Sequence, residues 1–216
     1  MVVDQLGTTF AALSDPTRRA MIARLSHGPA SVRGLTEPFA LSQQMISKHI
    51  ACLVRARIVI KTKRGRESVC TLRPKAIKAV SDWTFSYRRF WEDSFDKLDV
   101  VVNNLDTTFA ALSDPTRLAM VERLSQGPAS VHGLTEPFAL SQQMISKHIA
   151  YLVRARIVIK TKRGRESVCT LRPKAIKAVS DWTFYYRRFW EESFDKLDVV
   201  VNQMKKMEVS DDKGRG

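Results

Sequence analysis

From Ser42 onward the apolar residues Ile46, Ile50 and Leu53 recur at spacings of four and three, which predicts a helix with one buried stripe, capped by Ser42. The opposite side of that helix carries Gln43, Gln44, Ser47 and Lys48. Two strand-like runs follow, Ile58 to Lys63 and Ser68 to Leu72, around the basic turn Arg64-Gly65-Arg66. Upstream, a short apolar segment from Thr8 to Leu13 leads to Ser14-Asp15-Pro16, a helix start with Asp as cap and Pro at the first helical position. Met21, Ile22 and Leu25 form its buried stripe, and Gly28-Pro29 ends it. A second start at Ser31 predicts a short helix through Val32, Leu35 and Phe39 that stops around Ala40. Beyond Pro74, Ala76, Val80, Trp83, Tyr87, Phe90, Trp91, Leu98 and Val101 recur at threes and fours, so Lys75 to about Val102 reads as one long helix with an aromatic seam.

The whole pattern then returns. Thr8 to Asn103 aligns with Thr107 to Asn202 at a constant offset of 99, with eight differences: Arg19/Leu118, Ile22/Val121, Ala23/Glu122, His27/Gln126, Arg33/His132, Cys52/Tyr151, Ser86/Tyr185 and Asp93/Glu192. A period this long indicates a duplicated domain, because solenoid repeats recur every 20 to 50 residues or so. The expected organisation is one domain over 1–104, its copy over 105–204, and a polar, disordered tail over 205–216. The junction LDVVVNNLDTTF holds neither Gly, Pro nor Ser, so the two units are expected to pack together and not to be loosely tethered.

Charge sharpens the picture. Between Leu41 and Lys75 there are nine Lys or Arg and one acid, Glu67, and the copy has the same composition. Those two segments hold more positive charge than the chain's net +14, so the remainder is slightly acidic. A face that needed only solubility would mix signs, whereas a field of one sign suits phosphate. Gln and Lys also have the reach to pair with adenine and guanine edges in a major groove. A helix with a polar outer face followed by a basic hairpin outlines a winged helix-turn-helix. The expected fold is therefore mainly α with small β-hairpin wings, in two tandem winged helix-turn-helix domains that form a pseudo-two-fold intramolecular dimer.

Other classes fit less well. Three cysteines, two of them one position seen twice, make no disulfide framework, which points to a reducing cytosol and a cytoplasmic protein. No apolar run approaches a membrane span, and the start MVVDQLG lacks the regions of a signal peptide. No nucleophile, base and orienter set, paired carboxylates or phosphate-binding glycine loop suggests an enzyme. No metal and no cofactor is expected: Cys is not grouped, and Trp83 to Val102 contains no His.

Each unit resembles the ArsR/SmtB family of winged-helix repressors, in the branch without obvious metal ligands. The resemblance rests on ALSDPTRRAMIARL, on LSQQMISKHIACL as the recognition helix, on KRGRES as the wing turn, and on YRRFWEDSFDKLD as the C-terminal helix. It implies a homodimeric fold with terminal helices at the interface, here fused into one chain. Arg57 departs from the family, which usually has Gly there, so a differently built helix end is expected.

The reading that follows is a repressor that binds double-stranded DNA at an inverted-repeat operator, as a single chain. Base or phosphate contacts are expected from Gln43, Gln44, Ser47 and Lys48, with His49 orienting the helix or touching phosphate, and wing contacts from Lys63, Arg64 and Arg66. Their copies are Gln142, Gln143, Ser146, Lys147, His148, Lys162, Arg163 and Arg165. The interface is expected at Phe10, Trp83, Tyr87, Phe90, Trp91 and Leu98, with Phe109, Trp182, Tyr186, Phe189, Trp190 and Leu197. An architectural DNA binder without sequence preference, and a co-regulator that captures a partner helix on the aromatic seam, are the alternatives.

Overall fold

In the computed structural model of the 216-residue chain, residues 2–65, 67–88, 90, 105–164, 166–187 and 189 are described. The first repeat runs α1 (Val2–Leu13), α2 (Pro16–Leu25), β1 (Ala30–Ser31), α3 (Val32–Thr36), α4 (Gln43–Arg55), β2 (Val59–Arg64), β3 (Glu67–Leu72) and α5 (Lys75–Phe85). The second runs α6 (Leu105–Leu112), α7 (Pro115–Leu124), β4 (Ala129–Ser130), α8 (Gln142–Arg154), β5 (Val158–Arg163), β6 (Glu166–Leu171) and α9 (Lys174–Phe184). The result is mainly helical, with one small antiparallel sheet in each of two winged helix-turn-helix repeats.

Local chemistry sets the helix ends. Asp15 accepts from the Arg18 backbone N–H at 2.9 Å, and Pro16 occupies the first turn of α2, where its missing N–H is harmless. Arg18 also donates from Nε and Nη2 to the carbonyls of Ala12 and Ala11, at 2.5 and 2.7 Å, which satisfies the orphan end of α1. Arg117 repeats this with Ala111 and Ala110. Met21, Ile22 and Leu25 are buried beneath α2, as their spacing predicts. Ser31 caps α3 by accepting from the Gly34 N–H at 3.1 Å. The copied cap, Ser130 to Gly133, opens a run of turns and not a helix over 131–137.

The wings extend one residue further toward the turn than the strand pattern suggests: Arg64 pairs with Glu67, which leaves a two-residue connection. Gly65 sits there at φ +62, a left-handed conformation that glycine adopts without steric penalty. A third strand was not legible in sequence. Ala30 pairs with Cys70 and Ser31 with Val69, so β1 tethers the hairpin base to the helical body. Two residues are too few for an alternating pattern to register.

Two expectations need correction. The long helix does not run unbroken from Lys75: α5 ends at Phe85, and residues 86–88 form a turn. The N–H groups of Ser86, Tyr87, Arg88 and Phe90 each bond a carbonyl three residues back. The Thr84 and Ser86 hydroxyls donate to the Ser81 and Trp83 carbonyls, the side-chain back-bonding that competes with a regular helix. Apolar spacing persists across such a break, so the seam alone did not show it. Residues 91–104 and 190–216 lie outside the described residues, and with them Trp91, Leu98, Trp190, Leu197 and the tail.

The second correction concerns Arg57. The end of α4 is the left-handed cap that glycine usually provides: Arg57 has φ 58 and Arg156 φ 57. The Ile58 N–H bonds the Leu53 carbonyl and the Arg57 N–H the Val54 carbonyl, each at 2.9 Å. Leu53 and Ile58, both fully buried, set the cap into the hydrophobic core. That packing holds Arg57 in a conformation costing about 1–2 kcal/mol for a residue with a Cβ.

The repeats meet through α1 against α6 and α5 against α9. Phe10 and its copy Phe109 are both 0% exposed, with ring centroids 6.2 Å apart. Trp83 stands edge-on to Phe10 at 5.5 Å, and Trp182 edge-on to Phe109 at 5.6 Å. Tyr87 and Phe90 extend the ladder on one side, Tyr186 and Phe189 on the other. Part of the aromatic seam thus joins the halves while the rest completes each core.

Candidate nucleic-acid interface

Helix α4 begins where the Ser42 hydroxyl accepts from the Met45 N–H at 3.3 Å, and Ile46, Ile50 and Leu53 bury its inner stripe. This anchoring turns Gln43, Gln44, Ser47 and Lys48 to solvent, and Ser141 does the same for Gln142, Gln143, Ser146 and Lys147 on α8. On the hairpins Lys63 and Arg64, with Lys162 and Arg163, are exposed. Arg66 and Arg165 lie outside the described residues.

Helix and wing form one surface. Gln142 and Ser146 of α8 share a cleft of about 320 Å³ with Lys160 and Glu166 of the wing and with His132. His49 and His148 are turned away from it. The His49 Nδ1 lies 3.7 Å from the Asp15 carboxylate and the His148 Nδ1 3.5 Å from Asp114, so each half-buried imidazole faces the cap of the preceding helix.

Two positions of this surface, each present twice, were missed in sequence. Met45 and Met144 are each 46% exposed among the polar residues of the helix, although methionine reads as core. Their position between the buried stripe and the Gln pair was the available signal. Lys61 and Lys160, each the third residue of the first wing strand, are exposed cations, and Lys160 shares the cleft with Gln142 and Ser146 of the helix. Beneath them Cys70 and Cys169 are fully buried, and burial pushes both thiols above their ordinary pKa.

The one difference between the two helices lies off this surface. Tyr151 replaces Cys52 on the half-buried flank, where the Arg117 guanidinium covers its ring at 4.4 Å. The exposed residues of the two helices are the same, whereas the cleft has His132 in the second repeat where the first has Arg33.

Two helices preceded by a shorter positioning segment and followed by a cationic hairpin define a winged helix-turn-helix protein of the DNA-binding class. The profile described as bacterial regulatory protein, arsR family, matches residues 15–61 and again 114–160. Over 82 residues, 38% of this chain and 74% of the relative, the sequence is 36% identical to HTH-type transcriptional regulator Rv2034 of Mycobacterium tuberculosis. It is 26% identical to transcriptional repressor SdpR of Bacillus subtilis over 38% of this chain and 91% of that one. A crystal structure of an ArsR family transcriptional regulator is similar at 39% identity, covering 41% of this chain and 91% of that one with a TM-score of 0.39. The chain belongs to the ArsR family of bacterial regulators, with the family's DNA-binding domain present twice. It is a DNA-binding transcription regulator of a non-enzymatic family. Among the described residues no helix is long and apolar enough to cross a membrane.

Proposed function

We propose that the chain acts as a single-polypeptide repressor on a double-stranded operator close to an inverted repeat, its two domains spanning 1–104 and 105–204. The observation that carries this is the exposure of two identical polar faces, residues 42–51 and 141–150, on halves packed against each other. Identical faces prefer identical bases. A pseudo-two-fold relation between them suits successive major grooves about 34 Å apart.

Gln43, Gln44, Ser47 and Lys48, with their copies, read base edges or hold adjacent phosphates; Met45 and Met144 offer an apolar contact to thymine methyls. Lys61, Lys63 and Arg64 of the wing, with their copies, hold the flanking backbone. His49 and His148 orient the helices from behind through Asp15 and Asp114. Because the second reading head is delivered at high effective concentration, half-site binding stays cooperative even when the protein is scarce. Action on chromosomal DNA places the protein in the cytoplasm.

The test is protection mapping on DNA upstream of the protein's own gene, with random fragments as competitor. Replacing Gln43, Ser47 and Lys48 with Ala, together with Gln142, Ser146 and Lys147, is expected to abolish specific protection without loss of fold. If six to ten phosphates are neutralised, affinity falls by roughly 10³ to 10⁵ between 50 and 200 mM salt. A footprint retained in the variant overturns the choice of face. Equal competition by random DNA supports an architectural role instead.

A further inference from the structure

Three differences between the repeats gather where the repeats meet. Arg19 of the first repeat forms an ion pair with Asp106 of the second, with side-chain exposures of 14% and 40%. By the 99-residue relation the equivalent pair on the other side is Leu118 and Gly7. Leu118 is fully buried. A Cβ at Gly7 would stand 2.8 Å from the Ser113 carbonyl oxygen, closer than real Cβ atoms come to backbone, so the aspartate of position 106 has no room at position 7.

The third difference follows the same logic. Glu122 accepts a hydrogen bond from the Trp83 indole N–H across the interface at 3.2 Å. Opposite Trp182 the repeat relation puts Ala23, whose methyl accepts nothing. The two buried tyrosines sense the contrast: after burial itself, the Glu122 charge raises the Tyr87 pKa, whereas that of Tyr186 is raised by the neighbouring Tyr185 and lowered by the Arg19 charge.

We propose that positions 7/106, 19/118 and 23/122 are a pairing code by which each repeat fits the other and misfits a second copy of itself. Two first repeats would set Arg19 against Gly7 and lose the acceptor for Trp83. Two second repeats would set the Asp106 carboxylate against the apolar Leu118 and bring its Cβ to the place only Gly7 can fill. Like-with-like pairing joins separate tandem chains and leaves the remaining repeat of each to find its partner on another chain. The code disfavours that route and favours first-with-second closure within one chain.

The experiment uses the full chain without DNA, so its failure is separate from any failure of the operator reading. Thermal midpoints are measured for wild type, Arg19→Leu, Asp106→Gly and the double variant, which gives both sides the Leu/Gly pair already present at Leu118 and Gly7. Each single change is expected to lower the midpoint by about 2–4 °C. The double is expected to lose well short of the sum of the two, because removing either partner strands the other. The helix penalty of the new glycine is common to Asp106→Gly and the double and drops out of the comparison. Where Leu is not tolerated at position 19, Arg19→Gln closes the same cycle. Losses that simply add show two unrelated substitutions and overturn the code.

Discussion

The reading faces and the interface of this chain have opposite histories of change. Across residues 42–51 and 141–150 the repeats are identical, and the side chains that face solvent there are the same. Across the interface Arg19 stands where its twin has Leu118, Ala23 where its twin has Glu122, and Gly7 where its twin has Asp106. In a symmetric dimer every substitution is made twice, because the same patch serves both subunits. One chain lifts that restriction, and each side of an interface can change alone. A duplex with matching half-sites asks for two identical heads, whereas a packed interface asks only that its two sides fit.

The largest test of this contrast is at its centre. Phe10→Ala and Phe109→Ala each empty a fully buried ring from the shared aromatic cluster and should cost about 3–5 kcal/mol in denaturant unfolding. Because the two rings face each other, the losses should be similar; a difference above about 1 kcal/mol would show that asymmetry reaches the centre of the interface. Next comes the surface said to be symmetric. Lys48→Ala and Lys147→Ala should each weaken operator binding by about 1–3 kcal/mol, and equally, in a titration at fixed salt. Unequal losses would mean that Tyr151, packed under Arg117, or His132, which stands in the cleft where the first repeat has Arg33, alters the second head after all.

Smaller effects test the local geometry that both halves share. Arg57→Gly and Arg156→Gly relieve a left-handed residue and should leave stability unchanged or raise it by up to about 1 kcal/mol, with matching shifts of the denaturation midpoint. Finally, burial and the neighbouring Tyr185 push the Tyr186 phenol up to about 12, against a lowering by Arg19, and burial pushes Tyr87 up further. A phenol whose folded pKa is raised stays protonated in the native state after the unfolded chain has ionised. Stability should therefore be full below about pH 10, the unfolded tyrosine value, and fall as pH rises toward 12. In a phenolate absorbance titration, Arg19→Leu should move Tyr186 upward and leave Tyr87, which faces Glu122, where it was.

Much of the fold was legible because short-range chemistry dictates it. The caps at Asp15 and Ser42, the stripe of Ile46, Ile50 and Leu53 and the glycine turn of the wing each depend on neighbours within a few residues. The same periodicity that buries Ile46 exposes Gln43 and Lys48, so the candidate reading face is legible in the sequence. Less was legible where two solutions share one pattern. Apolar spacing ran through the break after Phe85, and the two-residue strand at Ala30 left no alternation to detect.

What the chain's sequence determined alone was its duplication, the class of each half and the side of each helix that meets solvent. What only the tertiary structure decided was which residues face one another across the halves: that Arg19 finds Asp106, that Glu122 finds Trp83, that His49 turns to Asp15, and that Arg57 keeps a glycine's conformation. The physical reason is range. Periodicity and capping act along the backbone over one or two turns, whereas an ion pair between residues 19 and 106 exists only once Phe10 and Phe109 have brought distant segments together.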